Sequence, residues 1–456
     1  MAPRRRPTGM VGFTLVWVGQ LVSVLASSAT GFALTIWAYE TTGSATALGV
    51  ITTSFLLPFL LLSPIAGAMV DRYNRKLMMM VSDLAAAAAT IAVLVLHATG
   101  GLAIWHLYLT SILIGLGNTF QWPAYSAAIT TMVPKEQYQR ANGMMGLVDS
   151  GPGVLAPLLA GALYPIAGLT GILLLDVATF VLAIGTLLAV DVPTPPRSAE
   201  GEAARGHLLA EAVFGFKYIF KRKSLLGLQL FFVTLNFLTG FGLVVPFILA
   251  RTGNNSMSLG AVTSAAALGG IAGGLLMSTW RGFKRRMTNV FVGEFLFGFT
   301  GFFLFGFGRS LSFWIPTVAL GAVAAALTNS TAQAIWQSKV PPDLQGRVFS
   351  ARRFISWSLI PVTPVLAGAL ADFVTGPAMV SDTWMSRAFG WAVGTSPGSG
   401  LALQYVVAGA LYCLACVLVL FFVPAVRNLD TLVPDHDAKA PEASSEAESS
   451  PAPENA

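Results

Sequence analysis

Charge is what this sequence has least of. Only 11% of its 456 residues are Asp, Glu, Lys or Arg, where a soluble globular domain carries about 25%. Hydrophobic residues make up 55% and the mean hydropathy is +0.70. That excludes a water-soluble enzyme with ordinary surfaces. Cysteine is nearly absent, and two in this length exclude a disulfide framework. Both, Cys413 and Cys416, lie in the apolar run LQYVVAGALYCLACVLVLFFV. Their spacing would suit redox or metal chemistry, but nothing nearby completes a metal site, so two small buried apolar side chains are expected. The four His are scattered: His97 and His106 near one surface, His207 and His436 in segments on the other. There is no GxxxxGK[ST] phosphate loop, so no ATPase on this chain drives its work. No catalytic constellation appears, and neither an enzymatic activity nor a cofactor is expected.

What the sequence does have is long apolar runs. A helix needs about 20 such residues to cross a hydrocarbon core of about 30 Å, and only helices or closed barrels satisfy backbone polar groups there. The runs are continuous rather than alternating, which selects helices. Twelve spans are read, at 11–38, 46–70, 77–97, 104–130, 139–165, 169–190, 225–250, 258–280, 288–308, 312–338, 346–374 and 402–424. The first follows MAPRRRP as a signal peptide would, but it is too long, lacks a clean small-residue cleavage site and precedes eleven more, so it is expected to be a span.

The net charge of +6 would hint at nucleic acid on a soluble protein. Here it sorts by side, and no nucleic-acid partner is expected. With the N-terminus and alternate loops on one side, all but three of the 27 Lys and Arg fall there; the exceptions are Arg251, Arg309 and Arg387. The positive-inside rule makes that side cytoplasmic, with both termini in it and the chain in the plasma membrane. Trp37, Trp105 and Trp314 then fall at outer ends and Trp280 at an inner one, as interfacial aromatics do.

The segment 191–224 interrupts the apolar pattern. It starts Pro-rich, then turns amphipathic and basic, and reads as a cytoplasmic linker with a short helix on the inner leaflet. On either side the chain repeats itself. VPKEQYQRANGMMGLVDSGPGVLAPLLAGAL (133–163) aligns without gaps on VPPDLQGRVFSARRFISWSLIPVTPVLAGAL (340–370) at an offset of 207. A second register, offset 211, sets LGVITT (48–53) over LGAVTS (259–264), Arg75 over Arg286 and Asp83 over Glu294. The expected fold is an all-α membrane protein with twelve transmembrane helices in two pseudo-symmetric six-helix bundles, 1–190 and 225–425, followed by a disordered cytoplasmic tail, 426–456. Such repeats build many secondary carriers, with the substrate near the midplane between them.

The short link GAMVDRYNRK (67–76) is charged between two apolar flanks. Its cations hold the loop inside. They do not explain Asp71, a carboxylate that can pair with an Arg or cap a helix of the opposing half. The stretch resembles the signature between spans 2 and 3 of the major facilitator superfamily, a Gly, then an Asp, then spaced cations. Its RYNRK form is similar to the drug–proton antiporter branch that includes macrolide exporters and the enterobactin exporter. LLLDVATFVLA (173–183), VPPDLQGRV (340–348) and FGWAVGTSPGSGLAL (389–403) agree. The resemblance covers about residues 10 to 425 and implies a cytoplasmic gate at Gly67, Asp71, Arg72 and Arg75. The second half departs, with Gly282 over Asp71, so the lock is expected to be asymmetric. The antiporter signature of span 5 is matched only in part by DSGPGVLAPLLAG, where Ala156 precedes Pro157 in place of the usual Gly.

Four acids fall within spans: Asp83, Asp149, Asp176 and Glu294. Each costs about 2.5–3.5 kcal/mol to insert and marks a functional candidate, since a carboxyl able to gain and lose a proton is what proton coupling needs. Asp149, beside Gly151, Pro152 and Gly153, is either a coupling or substrate residue or a carboxyl bonded to backbone freed by the proline. Asp83 and Glu294 are expected to pair with a nearby Arg or sit in an inner vestibule, and Asp176 to serve packing. Trp17, Gln20, Gln121, Tyr125, Asn236, Asn329 and Gln333 are candidates to line a wide, partly apolar cavity, though each alone suits a helix–helix hydrogen bond.

The sequence thus reads as a monomeric, proton-coupled exporter of amphipathic organic molecules working by alternating access, its partners being a small-molecule substrate, protons and the bilayer. An importer or facilitator of a small nutrient shares the fold. A non-transporting sensor lacks a sizeable signalling domain, and a channel lacks a selectivity motif.

Overall fold

The computed structural model describes residues 7–134, 137–192, 208–279, 283, 285–341 and 344–435, apart from the side chains of 64, 65, 67, 68, 70–72, 126, 127, 129–131, 138, 139, 142, 208–212, 278, 345 and 346. Among these residues helix is the only extended regular structure. Helix α1 (Gly9–Thr42) stops at Gly43, whose positive φ of 63° a side-chained residue rarely adopts. One residue later Ser44 caps α2 (Ala45–Arg72), accepting from the Ala47 amide. Asn74 caps α3 (Arg75–Ala98) in the same way, and α4 runs over Ile104–Met132. Links this short force antiparallel neighbours.

Helix α5 (Tyr138–Ala189) is 52 residues long because it holds two spans; Gly168 (φ 61°, ψ −174°) turns the chain between them. After the linker helix α6 (Leu208–Phe220) the second half opens with α7 (Lys223–Thr239) and α8 (Val244–Thr252), then α9 (Ser256–Thr279). Helix α10 (Arg286–Leu296) continues through a π-helical stretch, Phe297–Leu304, and α11 spans Leu311–Lys339. Then come α12 (Gln345–Trp357) and α13 (Thr363–Leu370), the latter passing into a π-helical stretch, Ala371–Thr375. A helix lying outside any expected span, α14 (Trp384–Val393), precedes α15 (Ser399–Phe422). Ten helical stretches among the described residues are long and apolar enough to cross a membrane. One of them, 143–189, holds both spans of α5, and the 29-residue α4 completes twelve. An even number of crossings leaves both chain ends on one face, here called the terminal face.

Two expected spans are not single helices. The run 225–250 breaks between α7 and α8, where Gly240 and Gly242 lie just before Pro246, which has no N–H to give. The run 346–374 breaks at 358–362, around Pro361 and just before Pro364. The two breaks meet, since a Cβ on Gly240 would fall onto the Thr363 side chain.

Two other expectations need correction. The linker helix α6 is not simply laid on a leaflet. Gly215 packs on the Arg347 carbonyl, Ile219 is fully buried, and the Tyr218 hydroxyl donates to the Lys339 carbonyl at 3.3 Å. Among its described side chains Val213, Phe214, Lys217 and Phe220 face outward. Nor is the whole of 426–456 a loose tail. Two short helices, α16 (Pro424–Arg427) and α17 (Leu429–Leu432), fold back onto the second half. The Asp430 carboxylate accepts from the Met287 amide at the start of α10, at 3.2 Å. The buried Lys339 ammonium donates to the carbonyls of Asp430 and Val433 and pairs with Asp435 at 2.8 Å.

The repeat is visible atom by atom where the halves touch. In one seam Gly161 of α5 lies on the Ser256 carbonyl of α9, and Gly260 on the Pro157 carbonyl; in the other Gly368 of α13 lies on the Ala45 carbonyl of α2, and Gly49 on the Pro364 carbonyl. A Cβ at any of the four would come under 3.0 Å from backbone. Ser264 Oγ donates to the Val154 carbonyl at 2.7 Å, and Thr53 Oγ1 donates to the Pro361 carbonyl. Every pair maps onto its mate at the offsets of 207 and 211.

Candidate functional site

The two seams close at one end only. On the face of α5 turned to α9, Gly161 is in backbone contact and a Cβ on Gly153 would meet Ala267 at 3.7 Å. Two turns nearer the terminal face, Gly146 has nothing within 4 Å, and neither have Gly270 and Gly274 across from it on α9. Gly269 and Gly273 of the same helix do pack, but against α11. The halves therefore touch at the far face and part toward the terminal face. The other seam shows the same geometry. Beyond Thr53 it loosens into a gap of about 130 Å³ between Phe59, Leu60 and Ser63 of α2 and Ser350, Arg353 and Trp357 of α12.

Asp149 lies where the α5–α9 seam opens. It is three residues from Gly146 and four from Gly153, so all three share a helix face, and it is exposed. It stands eleven residues into α5, roughly 16 Å along the axis, which is near mid-membrane depth.

At the far face the seam carries a contact that sequence reasoning missed. Asp372, in the π-helical stretch after α13, reaches across the halves to the start of α2. Its Oδ2 accepts from Ser44 Oγ (2.7 Å), Thr46 N (2.8 Å) and Thr46 Oγ1 (2.7 Å), and its Oδ1 from Ala45 N (3.0 Å). A carboxylate on a helix N-terminus satisfies free amides and the helix dipole together. Within the first half at this face, Tyr164 Oη donates to Glu40 at 2.7 Å.

The remaining acids are buried inside single bundles. Asp83 is held by amides rather than an Arg: Gln20 Nε2 donates to its Oδ2 at 2.8 Å and Gln121 Nε2 to its Oδ1 at 3.0 Å, while Gln121 also donates to Gln20 Oε1 at 2.8 Å. Asp176 accepts from Ser27 Oγ at 2.8 Å and Thr90 Oγ1 at 3.1 Å. Both acids line one cavity of about 440 Å³ inside the first bundle. Glu294, in the second bundle, accepts from the buried Tyr412 hydroxyl.

The other candidates scatter. Trp17 Nε1 donates to the Met144 carbonyl at 2.6 Å. Tyr125 is buried and stacks on Phe13 with centroids 6.3 Å apart. Asn236 Nδ2 donates to the Ser356 carbonyl at 2.9 Å, lacing α7 to α12. Asn329 is exposed on α11, and Gln333 accepts from Arg352 at 3.0 Å. Of the expected gate, Arg75 opens α3 beside Lys76, whose ammonium donates to the Val190 carbonyl at 2.6 Å. Gly67, Asp71 and Arg72 fall outside the described side chains, and Trp280 and Gly282 outside the described residues.

A family model described as the Major Facilitator Superfamily matches residues 16–364. The chain is similar to macrolide efflux protein A of Streptococcus pyogenes, 25% identical over 363 residues that cover 79% of this chain and 89% of that protein. It is also similar to multidrug efflux pump Tap of Mycolicibacterium fortuitum, 25% identical over 382 residues, covering 78% and 90%. In fold it resembles a bacterial homolog of the human lysosomal transporter Spinster, solved in an inward-facing and unoccupied conformation, with a TM-score of 0.68, 16% identity, and coverage of 90% of this chain and 98% of that one. It likewise resembles a bacterial homologue of the iron transporter ferroportin in an inward-facing state, with a TM-score of 0.61, 16% identity, and coverage of 89% and 99%.

Proposed function

Because the chain belongs to the Major Facilitator Superfamily, we propose that it is a proton-coupled exporter of amphipathic organic molecules, a monomer of the plasma membrane with its terminal face in the cytoplasm. The names of its relatives support efflux, and the strong cationic bias of the terminal-face loops supports the orientation. The observation that carries the coupling is the position of Asp149 at the point where the halves part.

The mechanism follows from what closure would do there. To open toward the outside, the halves must zip the inner seams. Zipping brings Asp149 against Gly270 and Gly274, positions with no side chain to pair with it. An ionised carboxylate driven into that contact loses its water and gains nothing. Closure therefore requires Asp149 to be neutral, through a proton or through a polar group of the bound substrate. An empty, charged carrier stays open to the cytoplasm. Exchange of substrate for a proton on the outside, and of the proton for substrate inside, gives antiport. Lying near mid-depth, Asp149 meets water from each side in turn.

The experiment is substrate movement into everted vesicles driven by an imposed pH gradient. Asp149→Asn is expected to fold and insert normally, to lose the pH dependence and to retain downhill exchange. Pump activity with unchanged gradient dependence in Asp149→Asn would remove Asp149 from the coupling.

A further inference from the structure

The cavity that holds Asp83 and Asp176 is a separate feature from the gap between the halves. Every described residue that lines it comes from α1, α2, α3, α4 or the second arm of α5, which places it within the first bundle. Its size of about 440 Å³ is that of a small-molecule site. Its lining includes the apolar side chains of Leu34, Ile51, Phe55, Ile114 and Phe180. The two carboxylates are spaced along the membrane normal. On α1 Gln20 holds Asp83 and Ser27, seven residues on, holds Asp176; on α3 Thr90, seven residues after Asp83, also holds Asp176, which places the acids roughly 10 Å apart. Among the described residues no Lys, Arg or His lines the cavity.

Hydrogen-bond accounting shows what is missing. At the inner acid, both N–H groups of Gln121 are used, on Gln20 and on Asp83, and Gln20 gives one of its two to Asp83. Toward the cavity the site offers Gln121 Oε1, which is buried with no partner, and the free lone pairs of the carboxylate. All of these are acceptors. At the outer acid, Thr30 is 4% exposed, lines the cavity, and turns its hydroxyl to the Asp176 carboxylate. Buried polar groups are normally satisfied. A site with spare acceptors, a negative balance and an apolar lining is completed by a molecule that brings N–H donors, a positive charge and an apolar body.

We propose that this cavity binds the protonated primary or secondary amine of an amphipathic organic molecule, its ammonium donating to Asp83 and Gln121 Oε1 at the inner end or to Asp176 and Thr30 at the outer end, with its apolar part against Ile51, Phe55 and Ile114. This deepens the reading of the chain as an exporter by naming the charged group of its substrate. It is independent of Asp149 and of any proton gradient.

The test is equilibrium binding to the purified full chain in detergent, with no gradient. The probe is dansylcadaverine, whose fluorescence reports an apolar site and whose pentylamine carries the charge; its N-acetyl derivative keeps the body and loses the charge. The amine is expected to bind and the acetylated form not to. Asp83→Asn and Asp176→Asn should each weaken the amine by about 10-fold or more, as loss of a charge-assisted bond does. Ala86→Phe, which fills the cavity from α3 without touching a charge, should block it. Equal binding of the acetylated probe, or undiminished amine binding in Ala86→Phe, overturns the proposal, and both readings survive if the Asn variants fail to fold. Loss of gradient-driven efflux in Asp149→Asn with amine binding intact keeps the two claims apart. Efflux without amine binding would refute this one alone.

Discussion

Asp372 offers the sharpest quantitative test of how the halves are held. Its carboxylate belongs to the second half and all four of its donors to the first, so the contact exists only while the far face is closed. Asp372→Asn keeps the shape but replaces one acceptor oxygen with an NH2. The best flip leaves the carbonyl oxygen on Ser44 and Thr46 and turns the new NH2 toward the Ala45 amide, donor against donor. Hydrogen bonds to a charged group contribute about 1.5–3 kcal/mol each, and a charge on a helix N-terminus about 0.3–1 kcal/mol. The carboxylate is half-buried, which discounts both. A net loss of about 2 kcal/mol remains, or about 30-fold in the equilibrium between far-face-closed and far-face-open states. The readout is thiol labelling of Ala160→Cys, a residue of α5 that is fully buried in this state, in a background with Cys413 and Cys416 replaced. Asp372→Asn should raise its labelling rate by that order, and Asp372→Ala by more. An unchanged rate in both variants would mean that the contact does not hold the far face shut.

The glycines make a paired prediction. Gly49→Leu and Gly260→Leu press on carbonyls already in contact and should lower the thermal stability of the detergent-solubilised protein by about 1–3 kcal/mol. Gly146→Leu and Gly274→Leu enter open space and should leave that stability unchanged while stopping efflux, because they wedge the inner seam. Stability loss in the second pair would contradict the open seam. At the chain end, the Lys339 ammonium beside Asp435 holds its carboxyl below the usual carboxylate range. A lowered folded pKa contributes stability above the unfolded value and loses it as pH falls through the folded one. The docked segment should therefore stay in place from neutral pH down to about pH 4 and come free below that, whereas Lys339→Met should free it at any pH. Anisotropy of a fluorophore on Leu432→Cys reads both, and release of the unmodified lysine form between pH 5 and 7 would refute the assignment.

Positions along the chain were far more legible than faces. Spans and the two offsets follow from apolar length and from identities such as LAGAL, because lipid demands long helices whatever they pack against. Which residues meet was not legible, because a helix that is apolar all round has no marked inner stripe. Gln20, Asp83 and Gln121 were each candidates, but nothing in their spacing joins three helices into one hydrogen-bonded group. Asp372 escaped notice because an acid near the end of a span looks like an interfacial residue until its partner is seen. The breaks at 240–243 and 358–362 were hidden because the apolar run continues through them. The docking of 428–435 was hidden because it depends on a Lys339 buried among side chains far away in sequence.

The repeat holds for scaffold and fails for chemistry, and that difference bears on how the carrier works. The seam glycines, their carbonyl partners and the Ser264 and Thr53 hydroxyls match pair for pair. Asp83 and Glu294 match in register too, yet at the same offset Ala332 stands where Gln121 does. Without that amide Glu294 is capped by Tyr412, whose ring packs among Phe297 and Phe302. The first bundle thus keeps a cavity with two acids, while the space around the matching acid of the second is filled with aromatic rings. A filled core resists deformation and a hollow one admits a ligand. Rocking requires the seams to be symmetric, because each must close when the other end opens; binding does not. If that division is right, introducing Ala332→Gln should be tolerated only with Tyr412→Phe, the pair giving Glu294 an amide partner in exchange for the hydroxyl. Thermal unfolding of the two single variants and the double decides it. A double variant no more stable than Ala332→Gln alone would show that the aromatic packing, rather than the hydrogen bond, sets the environment of Glu294.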